Sequence, residues 1–328
     1  MLHSPIYGAW VVVHATRVWS ALNDEVGMRS LWLERLVRYF FFLCALSAVV
    51  ITIGIVVSLL GETLRFFARV SIIDFLFGLT WAPQTLPTGE TSGFGAIPLF
   101  TGTALITLIA MAVALPCGTM VAIYLSEYAS QTMRQIFKPV LETLAGIPTL
   151  VYGFFAVTTL GPLLRDTAEF FHLSLVSESA LNAGLIMGIM ILPYMSSLCE
   201  DALHSLPVAL REGSMGLGAT SSETILKVLL PAAFPNLMAA FLLSLSRAIG
   251  ETMIVVMAAG LAANLTFNPF EAVTTVTVQI VSLLTGDQEF DNAKTLAAFG
   301  LGFVLFVLTF VLNLLALYGV KRYKRIYG

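Results

Sequence analysis

An arginine and a glutamate stand inside an otherwise apolar run, Arg247 and Glu251 between Asn236 and Ala262. Counted from Asn236, Arg247 is eleven residues along, about 16 Å at a helical rise of ~1.5 Å, close to the middle of a hydrocarbon core about 30 Å thick. A charge at that depth costs roughly 2.5–3.5 kcal/mol on insertion scales, so the side chain is expected to face a partner or a watery path. The four-residue spacing predicts that Arg247 and Glu251 share one helix face, extended by Ala240, Ser244 and Ile254. That face is the predicted pore lining, and the hydroxyls of Ser244 and Thr252 are counted with the two charges as its polar groups. A fixed positive charge on a planar fork suits an oxyanion such as phosphate. Glu251 repels a fully deprotonated anion but accepts a hydrogen bond from monohydrogen phosphate, which sulfate does not offer. The structural alternative is a buried ion pair that keeps helices in register.

The elements that must hold these groups follow from composition. Of 328 residues, 58% are hydrophobic and 11% charged, against roughly 25% charged in a soluble domain, and this excludes a water-soluble globule. The net charge of -3 with scattered basic residues gives no footprint for nucleic acid. Cys44, Cys117 and Cys199 lack the spacing of a zinc site or a disulfide framework, so no metal is expected. The apolar cluster Ala9 to Ala15 is too short for a signal-peptide core with its cleavage site, which leaves targeting to the first spanning helix, retained uncut.

Six runs are long enough to cross a bilayer as helix: Tyr39 to Leu60, Ile97 to Tyr124, Leu144 to Leu164, Leu181 to Leu198, Asn236 to Ala262 and Leu296 to Tyr318. The fold class predicted is an all-α membrane protein with six transmembrane helices. Residues 1–38 form an N-terminal segment, 39–60 the first span, 61–96 an outer segment, 97–320 a five-helix core and 321–328 a basic tail. Of the 17 Lys and Arg residues, twelve fall on the side of the N-terminal segment, the second and fourth loops and the tail. Four, Arg65, Arg69, Arg165 and Lys294, fall on the other. Retention of positive loops inside the cell predicts that both termini are cytoplasmic.

Finer features are expected within this frame. Glu62 to Phe77 reads as an interfacial helix, after which Pro83, Pro87, Gly89, Gly93 and Gly95 break the chain. Val273 to Leu284 is apolar but too short to cross, and reads as a segment dipping into the outer face. Gly184 and Gly188 form a Gly-x-x-x-Gly pair that lets two helices approach closely. Gly146 and Pro148 are a candidate helix break in the third span. Lys138 and Glu142, four apart, read as an exposed pair on one helix.

The loop of about 203–231 reads as two short helices. Ser205 is predicted to cap the first, with Pro207 in its first turn and Leu206, Leu210 and Leu217 repeating along it. Gly218 suits the left-handed position that ends it. Thr220 to Glu223 has the capping-box pattern for a second helix through Ile225, Leu226 and Leu229 that is expected to stop before Pro231.

Glu212-Gly213-Ser214, then Gly218-Ala219, then Leu230-Pro231 resemble the EAA loop of permease subunits in bacterial binding-protein-dependent ABC importers, with Gly-Ser in place of Ala-Ala. The resemblance implies a type I importer permease whose loop, through Glu212, Gly213, Ser214, Gly218 and Ala219, seats on a cytoplasmic ATPase. No Gly-x-x-x-x-Gly-Lys-Ser/Thr phosphate loop occurs in the chain, so it is expected to be no enzyme, to have no catalytic residue and to bind no cofactor, with ATP and Mg used by the partner ATPase.

Arg247-Ala248-Ile249-Gly250-Glu251-Thr252-Met253, together with Gly146-Ile147-Pro148-Thr149 and Val151-Tyr152-Gly153-Phe154-Phe155, is similar to the phosphate-importer permeases of the PstC type, over about Phe94 to Tyr323. That resemblance implies Arg247 and Glu251 on a phosphate path in the bacterial inner membrane. It also implies as partners a homologous permease of the PstA type, two ATPase subunits and a periplasmic phosphate-binding protein, with lipid around them. Other readings are a permease for another oxyanion, a proton-coupled secondary anion transporter using the same two residues, and a sensory role beside transport.

Overall fold

The computed structural model describes residues 6–83, 93–172, 174–285 and 292–327, with side chains from Leu33 to Tyr318 within those ranges, Ala316 excepted. Pro87 and Gly89, and the side chains of Arg17, Arg29 and the basic tail, lie outside the described residues. The chain divides into two compact units, Met1–Ser58 and Leu59–Gly328, with the boundary inside the first helix. That helix, α1, runs over Ile6–Phe67, and from Leu33 it is long and apolar enough to cross a membrane. Its described side chains up to Ser58 are almost all exposed, as suits a helix that is apolar on every face and solvated by lipid.

The second unit begins with the end of α1 and a six-residue helix, α2 (Ile72–Phe77). Glu62 to Phe77 is therefore not one interfacial helix, because the chain turns at residues 68–71 to bury its aromatic rings. Phe66, Phe75, Trp81 and Phe94 meet edge-on, with Phe66 and Phe75 centroids 5.0 Å apart and Trp81 and Phe94 6.2 Å apart. Edge-to-face contact aligns the positive rim of one ring with the negative face of the next. The cluster is covered by Leu296 and Leu301 and by Val276 and Leu283.

The main core is made by α3 (Ile97–Ile123), α4 (Gln131–Ala145), α5 (Thr149–Phe155), α6 (Gly161–Phe170), α7 (Ala180–His204), α8 (Val208–Gly216), α9 (Ser221–Thr224), α10 (Leu230–Ile249) and α11 (Met253–Ala258). Two further helices, α12 (Val276–Leu284) and α13 (Ala293–Tyr327), close the order. Among the described residues five helices are long and apolar enough to span a membrane, and the pair α4 with Thr149–Phe170, bent by 85°, makes six when counted as one broken span. The all-α, six-crossing expectation holds, and α12 is indeed too short to cross. Its Gln279 accepts a hydrogen bond from the indole N–H of Trp81 at 2.9 Å, which ties it to the outer segment.

Helices α3 and α7 form the tightest pair. A Cβ on Gly184 would lie 2.6 Å from Cβ of Ile109, and one on Gly188 would lie 2.9 Å from both the Ala110 carbonyl oxygen and Cβ of Val113. In lipid, where apolar burial drives little, such backbone approach supplies dispersion contacts that larger residues would forbid. The Gly-x-x-x-Gly expectation thus stands, with α3 as the partner.

Among the described residues three wide π turns occur: Tyr124–Tyr128 ends the α3 helix, and Ala156–Leu160 and Ile225–Leu229 lie within longer helices. Two of them run straight into Gly161-Pro162 and Leu230-Pro231. Proline lacks the N–H an α-helix needs and its ring crowds the carbonyl four residues back, and a widened turn relieves both problems. For that reason the second loop helix does not stop before Pro231 as expected. It continues through the π turn into α10, giving one membrane helix over Ser221–Ile249.

Candidate functional site

The third span breaks where Gly146 and Pro148 predict. Helix α4 ends at Ala145, Gly146 caps it, and Pro148 at φ −57° and ψ 135° opens α5. The hydroxyl of Tyr152 reaches back to donate to the Leu144 carbonyl at 3.0 Å and pins the elbow. Leu144 therefore belongs to the amphipathic helix before the bend, which has no buried residue, and the chain resumes as helix at Thr149.

The fifth span also breaks, contrary to expectation. Helix α10 ends at Ile249, and Gly250, Glu251 and Thr252 form an irregular link to the short helix α11. Unpaired backbone at this depth is costly, and the link is supplied with partners. The Glu251 carbonyl oxygen accepts from the Thr277 hydroxyl at 2.9 Å, and the Glu251 carboxylate accepts from the Ile254 N–H at 3.2 Å. The i, i+4 geometry proposed for Arg247 and Glu251 is consequently absent, because the helix that would have placed them on one face ends between them.

Arg247 instead lies over the ring of Tyr194, 5.2 Å from its centroid, with one guanidinium N–H group 3.9 Å from the Met190 sulfur. No carboxylate among the described residues forms an ion pair with it. Its charge is offset by the aromatic face and by the carbonyl end of α10, whose last turn it occupies. Arg247 is exposed on this chain and Glu251 and Thr252 are half-buried. Ser244 is fully buried and donates to the Met195 sulfur at 3.2 Å, and Ala240 and Ile254 are buried too. The predicted stripe therefore turns inward toward α7, and only its charged end faces out.

The short helices that follow the two breaks, α5 and α11, lie against each other. A Cβ on Gly153 of α5 would come within 2.8 Å of the Met257 sulfur and 3.4 Å of the Met253 carbonyl of α11. The two segments that carry the strongest sequence resemblance are thus in direct contact, with Arg247 one turn away along the chain.

At the opposite end of α10 is the hairpin of α8 and α9. Ser205 does not cap α8. It closes α7, with its hydroxyl donating to the Ala202 carbonyl at 2.8 Å, and Pro207 occupies the cap position of α8. Gly218 has φ +89°, the left-handed conformation expected of it. The capping box is complete, with Glu223 N–H donating to Thr220 Oγ1 at 3.3 Å and Thr220 N–H donating to the Glu223 carboxylate at 3.1 Å. Glu212, Gly213 and Gly218 are exposed, while Ser214 and Ala219 are half-buried. Ser214 faces inward to Thr224, hydroxyl to hydroxyl at 2.9 Å. The most exposed apolar side chain of the hairpin is Leu217, 92% exposed, and Met215 and Val208 of α8 are exposed too. Its position in a helical repeat suggests a buried stripe; only the turn at Gly218 puts it outside.

Sequence reasoning also missed a set of ion pairs near the hairpin. Glu200, 2% exposed, accepts from Arg134 Nε at 2.8 Å and pairs with Lys138 at 3.3 Å, and Lys138 also reaches Asp201 at 3.6 Å. Lys138 therefore bonds to α7 rather than to Glu142. Arg211 of α8 grips Glu127 through Nη2 at 2.7 Å and Nε at 3.0 Å, and those hydrogen bonds raise the Arg211 pKa further. The available signal was Glu200 and Glu127 standing at the ends of apolar runs, with basic residues in the adjoining loops.

Five to six candidate crossings, two of them broken, thus carry an amphipathic hairpin between α7 and α10. The chain belongs to the family of binding-protein-dependent transport system inner membrane components, whose profile matches residues 114–325. It is 36% identical over 283 residues to the probable ABC transporter permease protein YqgH of Bacillus subtilis, covering 86% of this chain and 89% of that one. It is 29% identical to the phosphate transport system permease protein PstC of Mesorhizobium japonicum, over 85% of this chain and 87% of that one. It is also 29% identical to a probable PstC of Methanocaldococcus jannaschii, over 90% and 98%. In fold it resembles the inward-facing MetNI methionine ABC transporter, with a TM-score of 0.50 at 17% identity, covering 70% of this chain and 94% of that one. The protein is thus a multi-pass membrane permease subunit and not an enzyme. Its family implies a substrate-binding protein and an ATPase as partners.

Proposed function

We propose that this chain is a permease subunit of an ATP-driven phosphate importer, pairing with a homologous permease of the PstA type. Two ATPase subunits, which use ATP and Mg, would dock on the hairpin through Glu212, Gly213, Gly218, Ala219 and the protruding Leu217. A phosphate-binding protein would deliver the anion on the other side. The observation that carries the reading is Arg247, an arginine within the fifth span that is exposed and has no carboxylate on it among the described residues. An anion supplied from outside the chain completes its pairing, and the fork of Arg247 accepts two phosphate oxygens at once. Glu251 and Thr252, at the link beside it, face the same path, and Glu251 accepts the remaining proton of monohydrogen phosphate. The distribution of Lys and Arg supports placing both termini in the cytoplasm.

The decisive experiment is uptake of labelled phosphate by cells that lack their own high-affinity importer, with and without this chain and its partner subunits. Uptake should depend on the chain and persist in excess sulfate. Purification in mild detergent should recover an ATPase. Sulfate competing as well as phosphate would overturn the selectivity, and uptake without any ATPase would favour the proton-coupled reading.

A further inference from the structure

Several charged groups with no part in the anion path, Glu127, Arg134, Glu200 and Arg211 among them, gather where the hairpin meets the ends of α3 and α7. Glu127 lies in the π turn Tyr124–Tyr128, and this is the one π turn of the three among the described residues that does not lead into a proline. Something other than proline relief must account for its poorer hydrogen bonding. One extra residue rotates the chain that follows by about 100° around the helix axis. In the structure Glu127, within this turn, meets Arg211 of α8.

There the carboxylate meets Arg211 through three N–H···O contacts of 2.7, 3.0 and 3.2 Å, and Ser126 donates to it at 2.8 Å. The same guanidinium donates to the Leu203 carbonyl at 3.1 Å, at the C-terminal end of α7. The Arg211 side chain is 17% exposed and that of Glu127 11%. One arginine thus joins three elements: the hairpin helix, the end of α3 and the end of α7. Within the hairpin the Ser214–Thr224 contact holds α8 on α9. Beyond it, α3 and α7 are locked by Gly184 and Gly188, and α7 carries Tyr194 and Met190 against Arg247.

We propose that Glu127 and Arg211 are a positioning pair, which makes the α3–α7 pair move as one body with the hairpin and with the α10 helix that continues from it to Arg247 when the ATPase moves. The proposal rests on reading the chain as a subunit of an ATP-driven importer. A bidentate pair with little exposure resists shear between elements in a way that a rim contact does not. Without it, the hairpin can follow the ATPase while α3 and α7 lag, and hydrolysis is wasted.

The test uses the complete complex in liposomes with binding protein and phosphate. Arg211→Gln and Glu127→Gln should keep ATP hydrolysis within twofold of the parent while phosphate moved per ATP falls at least fivefold. The swap Glu127→Arg with Arg211→Glu should recover at least half of that ratio. Spin labels at Met120→Cys and Met215→Cys, with Cys44 and Cys117 replaced by Ser, report the distance from α3 to α8. In the parent that distance should be the same without nucleotide and with ATP trapped, and in Arg211→Gln it should differ between the two. A parent distance that changes between the two states, or an Arg211→Gln complex with normal phosphate per ATP, would overturn the proposal. The distance needs nucleotide only. A parent complex that hydrolyses ATP and holds the distance constant but moves no phosphate would therefore refute the substrate and leave the pair standing.

Discussion

Arg247 shows how a single residue changes meaning once its neighbours are placed. As one half of an intrahelical ion pair, it would be neutralised within its own chain; over Tyr194 at the end of α10, it keeps its charge available. The Arg247→Gln variant, alone or with Glu251→Gln, is therefore expected to assemble normally, since no ion pair is broken and the amide that replaces the Glu251 carboxylate still offers an oxygen to the Ile254 N–H. Phosphate uptake should fall at least tenfold, equivalent to about 1.4 kcal/mol. Arg247→Lys should retain an intermediate rate, because a point charge replaces a planar fork. Assembly is scored by co-purification and transport by uptake; an assembled double variant with near-normal uptake would remove these side chains from the path. Gly218 gives a second prediction at this scale. Nothing lies within 4 Å of a Cβ there, so Gly218→Ala meets only the backbone strain of φ +89°, about 1–2 kcal/mol. The variant should insert and bind the ATPase with modestly reduced coupling, whereas Gly218→Glu adds bulk and charge at the docking tip and should uncouple hydrolysis from transport.

Among the elements, the α3–α7 pair is the least tolerant of change. A side chain at Gly184 or Gly188 meets Ile109, Val113 and the Ala110 backbone at under 3 Å, and the helices must separate to admit it. Overpacking of this kind costs roughly 1–3 kcal/mol. Gly188→Leu should lower the melting temperature of the detergent-purified chain and the yield of the complex, and an unchanged melting curve would show that the pair is looser than described. By contrast, Gly213→Ala, at an exposed site with no atom near its Cβ, should leave thermal stability unchanged. The comparison separates a glycine used for helix packing from one on the docking surface. How much of these elements was legible also varies. The Gly-x-x-x-Gly pair, the capping box and the Gly146–Pro148 break are local patterns with local causes, and the sequence displays them directly. The break after Ile249 was not legible, because Gly250 alone is a weak signal and the partner that satisfies the freed carbonyl, Thr277, is 26 residues away.

For the whole molecule, orientation is the property most exposed to test. Reporter fusions at His172 and Phe267 should report from the periplasm, and a fusion in the hairpin at Met215 should report from the cytoplasm. A periplasmic signal from the hairpin would separate it from the ATPase and remove its coupling role. Class, number of crossings and the residues worth testing were settled by the sequence itself, because long apolar runs, breaker residues and a charge inside a span act over a few residues. What only the tertiary structure decided was pairing. Lys138 goes to Glu200 rather than Glu142, Arg211 to Glu127, Ser244 to Met195 and Arg247 to Tyr194. Each choice joins separate elements, and spacing along a helix says which side chains share a face but not what that face meets. The packing of α3 on α7 and of α5 on α11 fixes those faces, and with them which side chains meet.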